Sequence, residues 1–254
     1  MSLFDLSGRV AVVTGGNGGI GLGMAEGMAV AGASILVVGR NEEKNADAVG
    51  KLQALGASAE AFMVDVTETN AGANMVAAAE KTFGRLDILV NNAGSNIRKP
   101  PEEFSPDEWR WVLETNLTSA FLFSQAAYPA LQRAGGGKII NIGSMYSVFG
   151  APFVAAYATS KGGIVQMTKS LAAAWAKDGI QVNCVLPGWI DTELTRRARE
   201  QIDGLYERQL ARMPAGRWGT PKDHAGVAVF LASAASDYIT GISVPVDGGF
   251  SISG

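Results

Sequence analysis

The stretch Val10-Ala11-Val12-Val13-Thr14-Gly15-Gly16-Asn17-Gly18-Gly19-Ile20-Gly21 decides the fold: an apolar run, a glycine-rich turn, then helical spacing through Ile20, Met24 and Met28. Consecutive apolar residues read as a strand buried on both faces, and apolar side chains three to four apart read as one face of a helix. The alternation continues outward. Val- and Ile-rich runs recur at 35–38, 62–64, 86–90, 138–142, 180–186 and 242–246, with longer helical stretches between them, such as the one carrying Ile164, Met167, Thr168, Leu171 and Trp175. Apolar strands separated by helices need right-handed crossovers that lay helices on both faces of a parallel sheet. The pattern predicts a doubly wound α/β domain with a seven-stranded parallel sheet.

No composition shift, Pro/Ser linker, internal repeat or low-complexity tract divides the 254 residues, so 1–254 reads as a single domain. The segment at about 187–220 departs from the alternation. It runs from Pro187-Gly188 through Arg196, Arg197 and Arg199 to Pro214-Ala215-Gly216-Arg217-Trp218-Gly219, and reads as an excursion at the carboxyl edge of the sheet, where open α/β sheets place ligands. A formal charge of −3 offers no cationic excess for a nucleic-acid backbone. One Cys and one His exclude an internal disulfide and make a metal cluster unexpected. The start, MSLFDLSGRV, lacks the basic flank and apolar stretch of a secretory signal, and no run reaches a membrane span's length. The expectation is a cytoplasmic protein with neither membrane nor nucleic-acid partners.

The glycine turn follows a strand and opens a helix, which is the context of a phosphate cradle. Its spacing fits Gly15-x-x-x-Gly19-x-Gly21 and Gly16-x-Gly18-x-x-Gly21 at once. Glycine lets the backbone approach a pyrophosphate, whose charge is favoured at a helix amino end. A Rossmann-type dinucleotide site is implied, whereas a nucleotide-triphosphate loop is excluded because no Gly-Lys is followed by Ser or Thr. The second strand ends in Val38-Gly39-Arg40-Asn41, without the acid that would bind a ribose 2′-hydroxyl. Arg40 instead offers a forked cation for a 2′-phosphate and Gly39 leaves it room, so NADP(H) is the preferred cofactor and NAD(H) a possible one.

Tyr157-Ala-Thr-Ser-Lys161 places a phenol and an ammonium one helical turn apart. Such an ammonium is expected to stabilise phenolate and bring the phenol towards a working pKa for proton transfer. Cys184, inside an apolar run, reads as a small buried hydrophobe, and the lone His224 as a local structural residue. No G-x-S-x-G occurs, which disfavours a serine hydrolase.

Taken together, Thr14-Gly15-x-x-x-Gly19-x-Gly21, Asn91-Asn92-Ala93-Gly94, Asn116, Ser144, Tyr157-x-x-x-Lys161 and Pro187-Gly188, with Val246-Asp247-Gly248-Gly249, resemble the short-chain dehydrogenase/reductase family over essentially the whole chain. The resemblance implies that Tyr157 exchanges a proton with the substrate oxygen, Ser144 holds that oxygen, and Lys161 lowers the phenol's pKa and binds the nicotinamide ribose. It implies that Asn116 positions a water next to Lys161. Cofactor contacts are implied for Gly15, Asn17, Gly18, Gly19, Ile20, Gly21, Arg40, Asn41, Asp65, Val66, Asn92, Ala93 and Gly94, with Pro187, Gly188, Ile190 and Thr192 closing over the nicotinamide. The implied reaction interconverts a secondary alcohol and a ketone.

For the substrate, Asn96-Ile97-Arg98-Lys99, Gly136–Met145 and Pro214–Gly219 are similar to sugar-acid dehydrogenases of the gluconate and ketodeoxygluconate type. Arg98 suits a carboxylate. Met145 and Trp189, with Tyr146 and Phe149, would equally line a pocket for a cyclic or aryl ketone. A 3-oxoacyl-thioester reductase and a non-catalytic NADP-binding redox sensor remain alternatives. The resemblance also implies a homotetramer, with the Tyr157 helix and Tyr238–Ile252 as contact surfaces.

Overall fold

All seven expected strands form, at Val10–Thr14 (β1), Ser34–Gly39 (β2), Ala59–Met63 (β3), Ile88–Asn91 (β4), Gly137–Ile142 (β5), Ile180–Pro187 (β6) and Ser243–Val246 (β7). The computed structural model describes residues 3–253; Met1, Ser2 and Gly254, the ends of the expected domain, lie outside them. The strands make one parallel sheet in the order β3-β2-β1-β4-β5-β6-β7. The chain reverses its winding direction beside β1, whose neighbours are β2 and β4. The carboxyl ends of β1 and β4 therefore flank the crevice where such sheets bind ligands.

Side chains alternate strictly between two cores, as strand geometry requires. Ala11, Val13, Ile35, Val37, Ile88, Val90 and Ile140 pack beneath helices Gly19–Val30 (α1), Glu42–Ala54 (α2) and Ala225–Ala232. Val12, Leu36, Val38, Leu89, Ile139 and Val182 face Ala71–Phe83 (α3), a helix at Ser119–Arg133 and one at Ala155–Trp175. Counted in chain order after Pro106–Leu113 (α4), these last are α5 and α6; Glu193–Gln201 and Leu205–Leu210 are α7 and α8, and Ala225–Ala232 is α9. Both Phe123 of α5 and Met24 of α1 are fully buried. Truncating Phe123 to alanine should cost about 3–5 kcal/mol.

Strand ends shift by up to three residues from the sequence reading, most at β3. β3 starts at Ala59 rather than 62 and ends at Met63, so Asp65 lies just beyond the strand rather than at its end. Its burial alternates irregularly because it is the outer strand of the sheet. The excursion after β6 folds into α7 and α8 and returns through a parallel bridge between Ile190 and Gly219. It brings its own apolar cluster, including Trp189, Leu205, Met213 and Trp218, over the carboxyl ends of the strands.

Candidate active site

The glycine turn is built by contacts on both sides. A Cβ on Gly21 would fall 2.5 Å from Gly15 O and from Asn92 Nδ2, so no larger residue fits there. Gly19 adopts a φ of 51°, a left-handed conformation suited to glycine. Asn92 Nδ2 donates to Thr14 O at 3.0 Å and Gly15 O at 3.1 Å, while the amides of Asn92 and Ala93 donate to Thr14 Oγ1 at 3.0 Å. The Asn-Asn-Ala-Gly segment thus shapes the turn. Asn17 Nδ2 donates to Asn45 Oδ1 at 2.7 Å, and Asn45 in turn bonds Gly39 O. A side chain on Gly39 would collide with Asn17 at 2.3 Å, so this glycine also serves the packing of the turn.

The cradle suits a pyrophosphate. Helix α1 starts at Gly19 with no side-chain cap and no acid in its first turn, so its positive end is unopposed. Space beside Gly18 is open. Towards the adenosine side, Arg40 Nη1 reaches Asp65 Oδ2 at 3.0 Å, with 68% of the arginine side chain exposed. Burial pushes the Asp65 carboxyl up, but bonds from Thr67 and Arg40 outweigh it and leave it below the ordinary carboxylate range. Val66 packs on the core beside it, and Asn41 caps α2 by accepting from Lys44 N at 2.8 Å. Across the crevice, Thr192 comes within 3.4 Å of where a Gly19 Cβ would stand. Pro187 ends β6, Gly188 N bonds Val246 O, and Ile190 is held by the bridge to Gly219.

The four expected catalytic residues converge. Asn116 sits in a π-helical turn, Glu114–Thr118, between α4 and α5. Its amide accepts from Ser95 N at 2.8 Å and donates to Ser95 O at 2.9 Å and Ser160 Oγ at 3.0 Å. Both Asn116 Oδ1 and Lys161 Nζ lie within 3.4 Å of a notional Gly94 Cβ. Ser160 and Lys161 belong to α6, as does Tyr157, and Ser160 Oγ donates to Tyr157 O. Ser144 follows β5 and its hydroxyl meets the Tyr157 phenol. Ser147 fixes this corner by accepting from Ser144 N at 3.1 Å and donating to Lys161 O at 2.7 Å.

The electrostatics depart from the sequence expectation. Burial raises the Tyr157 pKa, opposed by the bond with Ser144 and the charge of Arg98. The Lys161 ammonium lies 5.8 Å from the phenol ring centroid and donates to Ile142 O at 2.7 Å. Burial pulls its own pKa down to about 8. Desolvation is thus the largest influence on the phenol in the chain alone, and its net direction is upward. Lys161 is 4% exposed and keeps two donors beyond the one used by Ile142, which suits the hydroxyls of a bound ribose.

Beside Ser144 and Tyr157 opens a cavity of about 390 Å³, whose walls include the expected Arg98, Met145 and Trp189. It also contains Gln209, Arg212 and Phe250, which the sequence reading missed. No spacing signals them, since α8 and the carboxyl end meet the catalytic helix only through the tertiary fold. Cys184 is buried, and burial pushes its thiol up to about 11, as fits an inert core residue. His224 is fully buried and kept neutral by burial. No cluster of metal-ligating residues occurs among the described residues.

A family model described as enoyl-(acyl carrier protein) reductase matches residues 15–251. The chain belongs to the short-chain dehydrogenase/reductase family. As a member of the short-chain dehydrogenases/reductases, it is an NAD(P)-dependent oxidoreductase acting on CH–OH groups. It is 41% identical to gluconate 5-dehydrogenase of Gluconobacter oxydans, over 99% of this chain and 98% of that one. It is 42% identical to 2-dehydro-3-deoxy-D-gluconate 5-dehydrogenase of Dickeya dadantii, over 98% of each. Among solved structures, a gluconate 5-dehydrogenase from Burkholderia cenocepacia, in complex with NADP and tartrate, superposes with a TM-score of 0.93 at 41% identity, covering 99% of this chain and 98% of that one.

Proposed function

We propose that this short-chain dehydrogenase/reductase interconverts a secondary alcohol and a ketone on a sugar acid or polyol, with NADP(H) preferred and NAD(H) possible. The observation that carries the reading is one cavity in which the Tyr157 and Ser144 hydroxyls face a guanidinium, Arg98, with no carboxylate in its walls. Relatives named for gluconate chemistry support it. When bound, the nicotinamide supplies or accepts the hydride. Tyr157 gives the substrate oxygen its proton in reduction and takes it in oxidation. Ser144 holds the same oxygen, Lys161 binds the ribose and keeps its ammonium beside the phenol, and Asn116 orders the Ser95 loop and a water on the lysine's solvent side. Met145 and Trp189 supply apolar wall against the carbon chain, and Arg98 reads the acid group.

For the cofactor, Gly15, Asn17, Gly18, Gly19, Ile20 and Gly21 cradle the pyrophosphate, Asp65, Val66, Asn92, Ala93 and Gly94 line the adenosine side, and Arg40 with Asn41 takes the 2′-phosphate. Pro187, Gly188, Ile190 and Thr192 cover the nicotinamide. We assign residues 1–254 to one such domain with the excursion at 187–220, in a cytoplasmic homotetramer. Among the described residues no helix is long and apolar enough to cross a membrane, and Cys184 is free and buried.

The deciding experiment is Tyr157→Phe assayed with D-gluconate and NADP. Loss of a positioned general acid/base should lower kcat about 10²- to 10⁴-fold while NADP still binds; parental turnover would refute the assignment. Arg40→Asp should raise KM for NADP at least tenfold more than KM for NAD, and an equal effect on both would remove Arg40 as the phosphate reader.

A further inference from the structure

Arg212 stands out by its lack of a partner. Every other arginine except Arg98 ion-pairs with a carboxylate or, in Arg208, bonds the Asp203 carbonyl. Within the excursion alone, Arg196 and Arg199 share Asp191, Arg197 takes Glu193 and Arg217 takes Asp223. Arg98 and Arg212 have no acid or hydrogen-bond acceptor for their guanidinium groups among the described residues, and both line the cavity that holds Ser144 and Tyr157. They come from segments far apart in the chain, Arg98 on the loop after β4 and Arg212 just beyond α8.

The Arg212 guanidinium lies 4.6 Å from the Phe250 ring centroid. A cation held over a ring keeps its edge of N–H donors available, and such a rigid fork matches a carboxylate. Ser253 Oγ donates to the Arg212 carbonyl and fixes the backbone beneath it. Tyr146 is another wall of the cavity, and its hydroxyl has no hydrogen-bond partner among the described residues. Burial raises the Tyr146 pKa, and the positive charges of Arg98 and Arg212 both oppose the rise. The charge of Arg98 also opposes the rise of the Tyr157 pKa.

We propose that Arg212 is a specificity-determining residue: with Arg98 and the Tyr146 hydroxyl it forms a three-donor anion site that holds the substrate's carboxylate and selects acids over neutral polyols. A carboxylate accepts from several donors at once, while a neutral chain leaves both cations unmatched. The inference rests on the sugar-acid reading above and deepens it.

The test compares D-gluconate with sorbitol, its neutral counterpart, for the parent, Arg212→Gln and Arg212→Lys. Arg212→Gln should reduce the gluconate-to-sorbitol ratio of kcat/KM about 10- to 100-fold, through KM for gluconate rather than kcat, and Arg212→Lys should restore part of it. A ratio unchanged in Arg212→Gln would overturn the proposal while leaving the sugar-acid reading intact. Binding supplies a second readout: gluconate added to the NADP-loaded protein should change tryptophan fluorescence, with at least tenfold weaker binding in Arg212→Gln. Should the parent fail to oxidise gluconate yet bind it through Arg212, the substrate reading falls and the anion site stands. Equal binding by parent and variant would overturn the anion site whatever the turnover.

Discussion

Lys161 carries its charge inside the protein with a single protein acceptor, Ile142 O, and burial holds its pKa near 8 instead of 10.5. Because the folded value lies below the unfolded one, the charged form is the costly one. Its cost is full below about pH 8 and is relieved as pH rises towards the unfolded value, so this residue's contribution to stability improves over that window. The melting temperature of the parent should climb relative to that of Lys161→Met between about pH 8 and pH 10. Parallel curves in a thermal denaturation series would reject the buried-ammonium account. The neighbouring phenol behaves oppositely. Burial keeps Tyr157 protonated through neutrality, which suits donation to a ketone, whereas alcohol oxidation must wait for phenolate. Oxidative kcat should therefore keep rising from about pH 7 to pH 9. Initial rates at saturating cofactor and substrate check this, and an oxidative plateau already reached at neutrality would contradict it.

At the scale of elements, the excursion is anchored by small links. Lys44, in the first turn of α2, reaches Glu193 at the start of α7 with Nζ and Oε2 2.7 Å apart, spanning the crevice beside Arg40. Both side chains are half exposed, so the pair should stabilise the fold by no more than about 1 kcal/mol. Its effect should be local: in Glu193→Gln, amide exchange across 190–212 should quicken while β1 and β4 stay protected. Uniform protection in hydrogen exchange would show that α7 is held by its apolar cluster alone. The elements of the sheet were readable in advance because the inner strands are buried on both faces and spelled in Val and Ile. β3 was half read, since at the sheet's edge Glu60 and Ala61 face water and break the run. The π turn that aims Asn116, and the meeting of Arg212 with Arg98, arise from contacts between segments distant in the chain, which no spacing encodes. The lysine-tyrosine pair was legible as a position but not as an electrostatic state, because its desolvation depends on the whole surrounding structure.

For the whole molecule, exposed apolar side chains are spread over the surface, from Leu3 and Val30 to Val148 and Phe153, and two groups among them bear on assembly. One is at the carboxyl end, where Tyr238 and Ile252 are 104% and 87% exposed, in the segment expected to make contacts. The other is on α4 and α5, where Trp111, Phe121 and Leu122 are 38%, 41% and 46% exposed. The exposed side of the Tyr157 helix, the other expected contact surface, carries Thr159, Gln166, Lys169, Ser170, Ala173 and Ala174. A tetramer with two kinds of two-fold contact needs two separate patches, each closing one dimer, and we assign these two groups to that role. On the proposed homotetramer, the parent should run in light scattering at about four times the 26.4 kDa chain mass. Phe121→Asp with Leu122→Asp should stop at dimers joined through the carboxyl ends. Tyr238→Asp with Ile252→Asp should stop at dimers joined through α4 and α5, and the quadruple variant should be monomeric with an unchanged far-ultraviolet spectrum. A monomeric parent would dispose of the assembly, and a tetramer surviving either pair of charges would remove that patch from it.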